Sequence, residues 1–141
     1  MQTTSRPDLA SHLRLTIART ARRLRQEAGS DLSPSMSTAL ATIERHGPMT
    51  PSELAARERV RRPTATRVLA RLEDLGLIQR TPDPQDRRSS LVAVTPAASA
   101  ILAEQRTRKT AFLAERLERL GAEDRAALER AADILERMLA E

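Results

Sequence analysis

The sequence predicts a mainly α fold with a small β-hairpin, and three observations carry that prediction. Three hydroxyl–proline pairs, Ser33-Pro34, Thr50-Pro51 and Thr95-Pro96, each set an N-cap side chain before a residue whose fixed φ and missing N–H suit the first turn of a helix. Between these marks apolar residues recur every three or four positions, the period of an amphipathic helix. Only two short runs, Leu77 to Thr81 and Ser89 to Thr95, are rich in β-formers, and they flank the turn-rich stretch TPDPQDRRSS, Thr81 to Ser90.

Taken in order, the first helix covers 8–28, with Leu9, Leu13, Ile17, Ala21, Leu24 and Ala28 as its stripe. A second opens at Pro34 and carries Met36, Ala39, Leu40 and Ile43. The third opens at Pro51. There Thr50 and Glu53 have the spacing of a capping box, while Met49 and Leu54 hold the positions of a hydrophobic staple. The fourth covers 63–75, with Ala65, Val68, Leu69, Leu72 and Leu75 expected to face inward, and the hairpin follows over 77–95. From Pro96 a long helix runs to about Leu120, and a last one carries Leu128, Ala131, Leu135, Met138 and Leu139. Gly29, Gly47, Gly76 and Gly121 each follow a helical pattern, so a left-handed C-terminal cap is expected at each. No repeat or flexible linker interrupts the pattern, which reads as a single domain over 1–141.

Composition narrows the function classes. The chain has no cysteine, which excludes disulfides, thiolate metal sites and thiol-based sensing. It has no apolar run long enough to span a membrane, and its N-terminal stretch lacks a secretion-signal pattern, so a cytoplasmic protein is expected. Net charge is +5 and every basic residue except Lys109 is arginine. Between Arg57 and Arg88 lie nine arginines (57, 59, 61, 62, 67, 71, 80, 87, 88) and five acids (58, 73, 74, 83, 86), so most of the excess charge is concentrated there. Such a concentration fits a polyanion.

The middle of the chain has the layout of a helix-turn-helix: a short capped helix, a few connecting residues, then a helix opening at Pro63. At 100° per residue, Thr66, Arg67, Ala70 and Asp74 lie opposite the apolar stripe, with Thr64 and Arg71 on its flanks. Hydroxyls, small side chains and arginine forks suit the major groove, where arginine bridges guanine O6 and N7 and threonine meets a thymine methyl or a phosphate. The competing reading is an ordinary solvated helix face, with Arg71 paired to a neighbouring acid.

The stretches LAARERVRRPTATRVLARLEDLGLIQR and DPQDRRSSLVAVT resemble the MarR family of winged-helix transcriptional regulators, over Leu32 to about Leu102. That resemblance implies a winged helix-turn-helix over 32–95, with recognition helix 63–75 and wing 77–95, flanked by N- and C-terminal dimerisation helices, 8–28 and 96–140. It further implies a homodimer on a pseudo-palindromic operator in double-stranded DNA, repression as the default, and a wing arginine in the minor groove. Arg88 matches that arginine, Arg87 is placed for a phosphate, and Asp86 holds the turn or orients an arginine. A small, often anionic effector is also implied. With Phe112 as the one aromatic residue, aliphatic contacts plus His12 or an arginine of the first helix would have to hold it.

The turn departs from the family pattern. Glu58, Arg59 and Arg61 stand where a leucine, a glycine and a capping serine are usual, so a left-handed position falls on a side-chain-bearing residue and the helix start loses its cap. Arg59, Arg61 and Arg62 are expected to supply phosphate contacts instead. The expected DNA-contacting set is therefore Arg59, Arg61, Arg62, Thr64, Thr66, Arg67, Arg71, Asp86, Arg87 and Arg88.

Enzymatic readings find no support. His12 and His46 lack metal-ligand spacing, no nucleophile motif is present, and every glycine is used as helix punctuation, so no metal or cofactor is expected. Without an aromatic platform, single-stranded nucleic acid is disfavoured. A non-specific architectural DNA binder and a helical protein-interaction module are the alternatives.

Overall fold

The computed structural model describes residues 6–29 and 31–140. Its elements run α1 (Arg6–Ala28), α2 (Pro34–His46), α3 (Pro51–Glu58), α4 (Arg62–Asp74), β1 (Ile78–Pro82), β2 (Ser90–Val94), α5 (Pro96–Glu118) and α6 (Ala122–Leu139). The fold is mainly α with one antiparallel hairpin, as the periodicity and the turn signals require.

The hydroxyl–proline pairs act as helix starts. Ser33 Oγ accepts from the Met36 N–H at 3.3 Å. Thr50 Oγ1 accepts from the Glu53 N–H at 3.1 Å while the Glu53 carboxylate accepts from the Thr50 N–H at 3.2 Å, a complete capping box. Thr95 does two jobs: its hydroxyl accepts from the Ala98 N–H at the start of α5 and donates to the Gly76 carbonyl at 2.8 Å, tying α5 to the end of α4.

Two expectations are corrected. Leu75 does not face inward but is 57 % exposed, because α4 ends at Asp74 and Leu75 is its C-cap, just before the chain reverses at Gly76. Gly121 has φ −70° and serves as the N-cap of α6, whereas Gly29, Gly47 and Gly76 have the expected positive φ, Gly47 with an extended ψ of −175° in place of the left-handed helical value. The preceding helix already ends at Glu118, in a turn where the Arg119 and Leu120 N–H groups bond to Arg116 and Leu117. No left-handed cap is needed three residues further on.

The chain forms two compact units. One contains Ala28–Arg106 and holds the hydrophobic core: Leu40, Leu69, Leu72 and Val92 are fully buried, with Ile43, Leu54, Ile78, Ala98 and Leu102 around them. In its hairpin β1 pairs with β2 in the register Ile78 to Val94 through Pro82 to Ser90. The far edge of β2 is also covered, since Met49 and Val92 exchange two backbone hydrogen bonds of 3.1 and 2.8 Å. That bridge fastens the residue preceding the α3 cap to the hairpin.

The other unit combines the chain up to Glu27 with the chain from Thr107 onward. Within it the guanidinium groups of Arg23 and Arg116 lie 5.4 and 4.8 Å from the Phe112 ring centroid, cation–π contacts that use the one aromatic side chain. No residue of α6 is buried. Leu9, Ile17, Leu128, Ile134 and Met138 remain 46–59 % exposed, whereas of the predicted stripes Ala28 is buried and Ala21, Leu24, Ala131 and Leu135 are partly buried.

Candidate nucleic-acid interface

The turn between α3 and α4 keeps a left-handed residue although it lacks glycine. Arg59 has φ 53° and ψ 43°, the one non-glycine residue with positive φ among the described residues. The Val60 N–H bonds to the Ala55 carbonyl at 3.0 Å and the Arg59 N–H to that of Ala56 at 3.3 Å. This is the paired closure of a Schellman motif, which forces its left-handed position onto Arg59. The expected departure is therefore real strain, with the ordinary turn geometry preserved. Glu58, a second departure, is half-buried and accepts a hydrogen bond from the Thr42 hydroxyl, linking α3 to α2.

Arg61 is the N-cap of α4, with extended backbone (φ −72°, ψ 148°) and no side-chain capping bond, as arginine's donor-only chemistry dictates. Its carbonyl accepts from the Thr64 and Ala65 N–H groups at 3.0 and 3.2 Å. The helix begins at Arg62 and ends at Asp74, one residue earlier at each end than the expected 63–75. Its inner face is Ala65, Leu69 and Leu72, with Val68 half-buried beside them. Thr64, Thr66, Arg67, Ala70, Arg71 and Asp74 are exposed, the division that the helical period predicts.

The other end of α4 is tightly held. The Leu77 N–H reaches the Leu72 carbonyl and the Gly76 N–H that of Glu73, both at 2.9 Å, a second Schellman closure with glycine at the left-handed position. Arg80 of β1 donates from Nε to Glu73 Oε2 at 2.6 Å. Glu73 is thus committed to Arg80, and Arg71 forms no ion pair among the described residues, which disposes of the pairing that the solvated-face reading supposed. The Glu73–Arg80, Glu58–Thr42 and Met49–Val92 contacts join different elements, and no spacing within the sequence signals them.

The wing tip is built by its aspartates. Asp83 Oδ1 accepts from the Gln85 N–H at 2.9 Å, and Asp86 Oδ1 accepts from the Arg88 N–H at 3.0 Å. The Asp86 carbonyl takes the Ser89 N–H at 3.0 Å, and the Asp83 N–H closes the loop onto the Ser89 carbonyl at 3.2 Å. Of the two roles considered for Asp86, its side chain performs the first: it holds the turn. Arg87 and Arg88 project from that turn, exposed and without an ion-pair partner among the described residues.

All ten residues expected to contact DNA are exposed, and all belong to the unit Ala28–Arg106. Arg59, Arg61 and Arg62 cluster at the start of α4, Thr64, Thr66, Arg67 and Arg71 lie along it, and Asp86, Arg87 and Arg88 form the wing tip. His12 is exposed on α1, in the other unit, and His46 is exposed at the C-terminal end of α2, where a cationic ring suits the helix dipole. Among the described residues no group of three or more His, Asp or Glu side chains is arranged to hold a metal ion.

This arrangement has close counterparts. Residues 32–90 match the MarR family. Over 128 residues, 90 % of each chain, the sequence is 42 % identical to an uncharacterised HTH-type transcriptional regulator of Mycobacterium bovis. The structure of a MarR family protein from Bacillus stearothermophilus superposes with TM-score 0.84 at 22 % identity, over all of this chain and 99 % of the other, which shows the shared fold. A mutant of the E. coli MarR protein, solved in complex with operator DNA, matches with TM-score 0.68 at 26 % identity over 90 % of this chain and 92 % of that one. With its two Schellman-closed helices, buried α4 inner face and hairpin wing, the chain belongs to the MarR family of winged helix-turn-helix proteins.

Proposed function

We propose that the protein is a sequence-specific transcriptional regulator of double-stranded DNA. It acts as a homodimeric repressor on a pseudo-palindromic operator, with α4 in the major groove and Arg88 in the minor groove. The observation that carries this reading is the exposure of Arg67, Arg71, Arg87 and Arg88 without ion-pair partners among the described residues, on a helix and a wing whose opposite faces are packed into one core. Arginines left unpaired on a rigid scaffold suit bidentate contact with guanine edges and phosphates. Arg59, Arg61 and Arg62 add phosphate contacts at the start of α4, Thr64 and Thr66 meet bases or phosphates, and Asp86 contributes by fixing the wing tip. The relatives named as transcriptional regulators and the neighbour solved on operator DNA support the same reading.

Exposed apolar residues on the terminal helices support the dimer. Exposed leucine and isoleucine on α1 and α6 are surface that a second copy would cover, and two copies would present two α4 helices about one DNA turn apart. On this reading residues 1–141 act as one functional domain, with 8–28 and 96–140 as dimerisation helices, in the cytoplasm and associated with the nucleoid. Among the described residues no helix is long and apolar enough to cross a membrane. Release by a small anionic effector completes the proposal, with the exposed His12 as its contact. His12→Ala is expected to abolish the response to such an anion.

A fluorescence-anisotropy titration against labelled duplex from upstream of the protein's own gene, at two salt concentrations with excess random duplex, tests the proposal. Binding is expected to survive the competitor and to weaken in Arg88→Ala. Equal affinity for both duplexes would favour an architectural binder, and no binding at either salt would favour a protein-interaction module.

A further inference from the structure

A cleft of about 250 Å³ opens on the winged-helix unit, between the start of α2, the end of α3 with its turn, and the first half of α4. Its walls are mainly hydrocarbon, including Pro34, Leu54, Val60 and Val68. Val60 is 41 % exposed, so the turn presents apolar surface to the cleft and to solvent. Glu58 is the one charged residue in the lining among the described residues. Its Oε1 accepts the Thr42 hydroxyl, and its Oε2 has no partner among the described residues. Although the surrounding surface is rich in arginine, no arginine or lysine among the described residues lines the cleft.

These features select a class of ligand. An anion entering the cleft would give up hydration, gain no cationic partner and meet Glu58. A neutral hydrocarbon would leave the free carboxylate oxygen unused. A protonated amine with an apolar body satisfies both parts, since a charge-assisted hydrogen bond to Glu58 Oε2 replaces water and the body covers the hydrocarbon walls. The volume exceeds the roughly 150 Å³ of a cavity that admits benzene, leaving room for one ring and a short amine arm.

We propose that this cleft is a binding site for a small protonated amine with an apolar body, its ammonium on Glu58 and its body against Leu54, Val60 and Val68. Because the lining joins Pro34 and Thr38 of α2 to Thr64 and Val68 of α4, a bound amine wedges the two helices and alters the presentation of α4. That regulatory consequence rests on the DNA reading proposed above; amine binding itself does not.

The probe is 2-phenylethylamine, with phenylacetate as its anionic counterpart. Both are titrated into the full chain, without DNA, by ligand-observed NMR and calorimetry. The amine is expected to bind with a Kd of ~1 mM or tighter, and phenylacetate at least about fivefold more weakly. Glu58→Gln keeps an acceptor for Thr42 and is expected to lose about fivefold in amine affinity. Thr38→Phe, at an exposed position of α2, fills the cleft and is expected to abolish binding, with circular dichroism confirming the fold of both variants. Equal binding of the two probes, unchanged binding to Thr38→Phe, or no binding of the amine would each overturn the site. In a second arm, saturating amine is expected to lower the affinity of the wild type for its upstream duplex while leaving Thr38→Phe unaffected. Amine binding without any change in DNA affinity overturns the regulatory consequence. Failure to bind DNA at all is a failure of the earlier proposal and leaves the amine titration intact.

Discussion

Replacing Arg59 by glycine is expected to stabilise the protein while weakening its hold on DNA. Arg59 sits at φ 53° and ψ 43°, a conformation that costs an L-residue with a Cβ about 1–2 kcal/mol. Glycine removes that cost but adds freedom to the unfolded chain, returning about 0.5–1 kcal/mol. The side chain makes no hydrogen bond or ion pair among the described residues, so its removal loses nothing further from the fold. The balance is a gain of about 0.5–1 kcal/mol, which for a chain of this length raises Tm by about 2–4 °C. Thermal unfolding followed by circular dichroism at fixed protein concentration measures it, with Arg59→Ala as the control that removes the charge and keeps the strain. The same two variants, titrated against the upstream duplex, are both expected to flatten the plot of log affinity against log salt by about 0.9 if Arg59 neutralises one phosphate. A Tm for Arg59→Gly no higher than that of Arg59→Ala would refute the strain argument, whatever the DNA result.

Arg61→Ser restores an N-cap to α4 at a position whose backbone is already extended; it should add about 0.5–1 kcal/mol of stability by chemical denaturation while reducing the salt dependence of DNA binding. Gly76 has φ 71° and open space where a Cβ would stand, so Gly76→Ala meets no clash and should cost about 1 kcal/mol from backbone strain alone, read as a shift in denaturant midpoint at unchanged slope. Ile134→Glu places a charge on the uncovered face of α6 without touching a core, so sedimentation should give a 15.6 kDa species with helix content retained, against a species of twice that mass for the wild type. A wild-type chain that itself sediments at 15.6 kDa would remove the dimer.

The elements were legible because their ends carry local chemistry. Ser33-Pro34 and Thr50-Pro51 act through hydrogen bonds within three residues, so the sequence alone contains both partners. The exposed face of α4 was legible for a similar reason, since one helical period sorts Ala65, Leu69 and Leu72 from Thr66, Arg67 and Ala70. Leu75 escaped that logic because periodicity assumes that the helix continues, and whether it does is decided at Gly76 and Leu77 by bonds to Leu72 and Glu73. Contacts between distant elements left no trace in spacing. Nothing in the sequence distinguishes Glu73, engaged with Arg80, from Asp74, and nothing announces that Met49 pairs with Val92 or that Glu58 takes the Thr42 hydroxyl. The cleft beside Glu58 is the furthest from view, because it exists only where three helices meet.

The two ends of α4 are built on opposite terms, and the contrast explains where the sequence tolerates a poor local choice. At its C-terminal end every local rule is obeyed: glycine occupies the left-handed position, Leu72 and Leu77 are buried together, Thr95 bonds the Gly76 carbonyl and Arg80 grips Glu73. At its N-terminal end two rules are broken within three residues, with a strained Arg59 and an uncapped Arg61. Each defect costs about 1 kcal/mol, and each puts a guanidinium where an ordinary turn would have glycine or serine. A helix meant only to fill a core gains nothing from that exchange. A helix whose N-terminal end must meet a phosphate backbone gains two cations beside a dipole that already favours anions, and its well-secured C-terminal end supplies the stability that lets the other end remain imperfect.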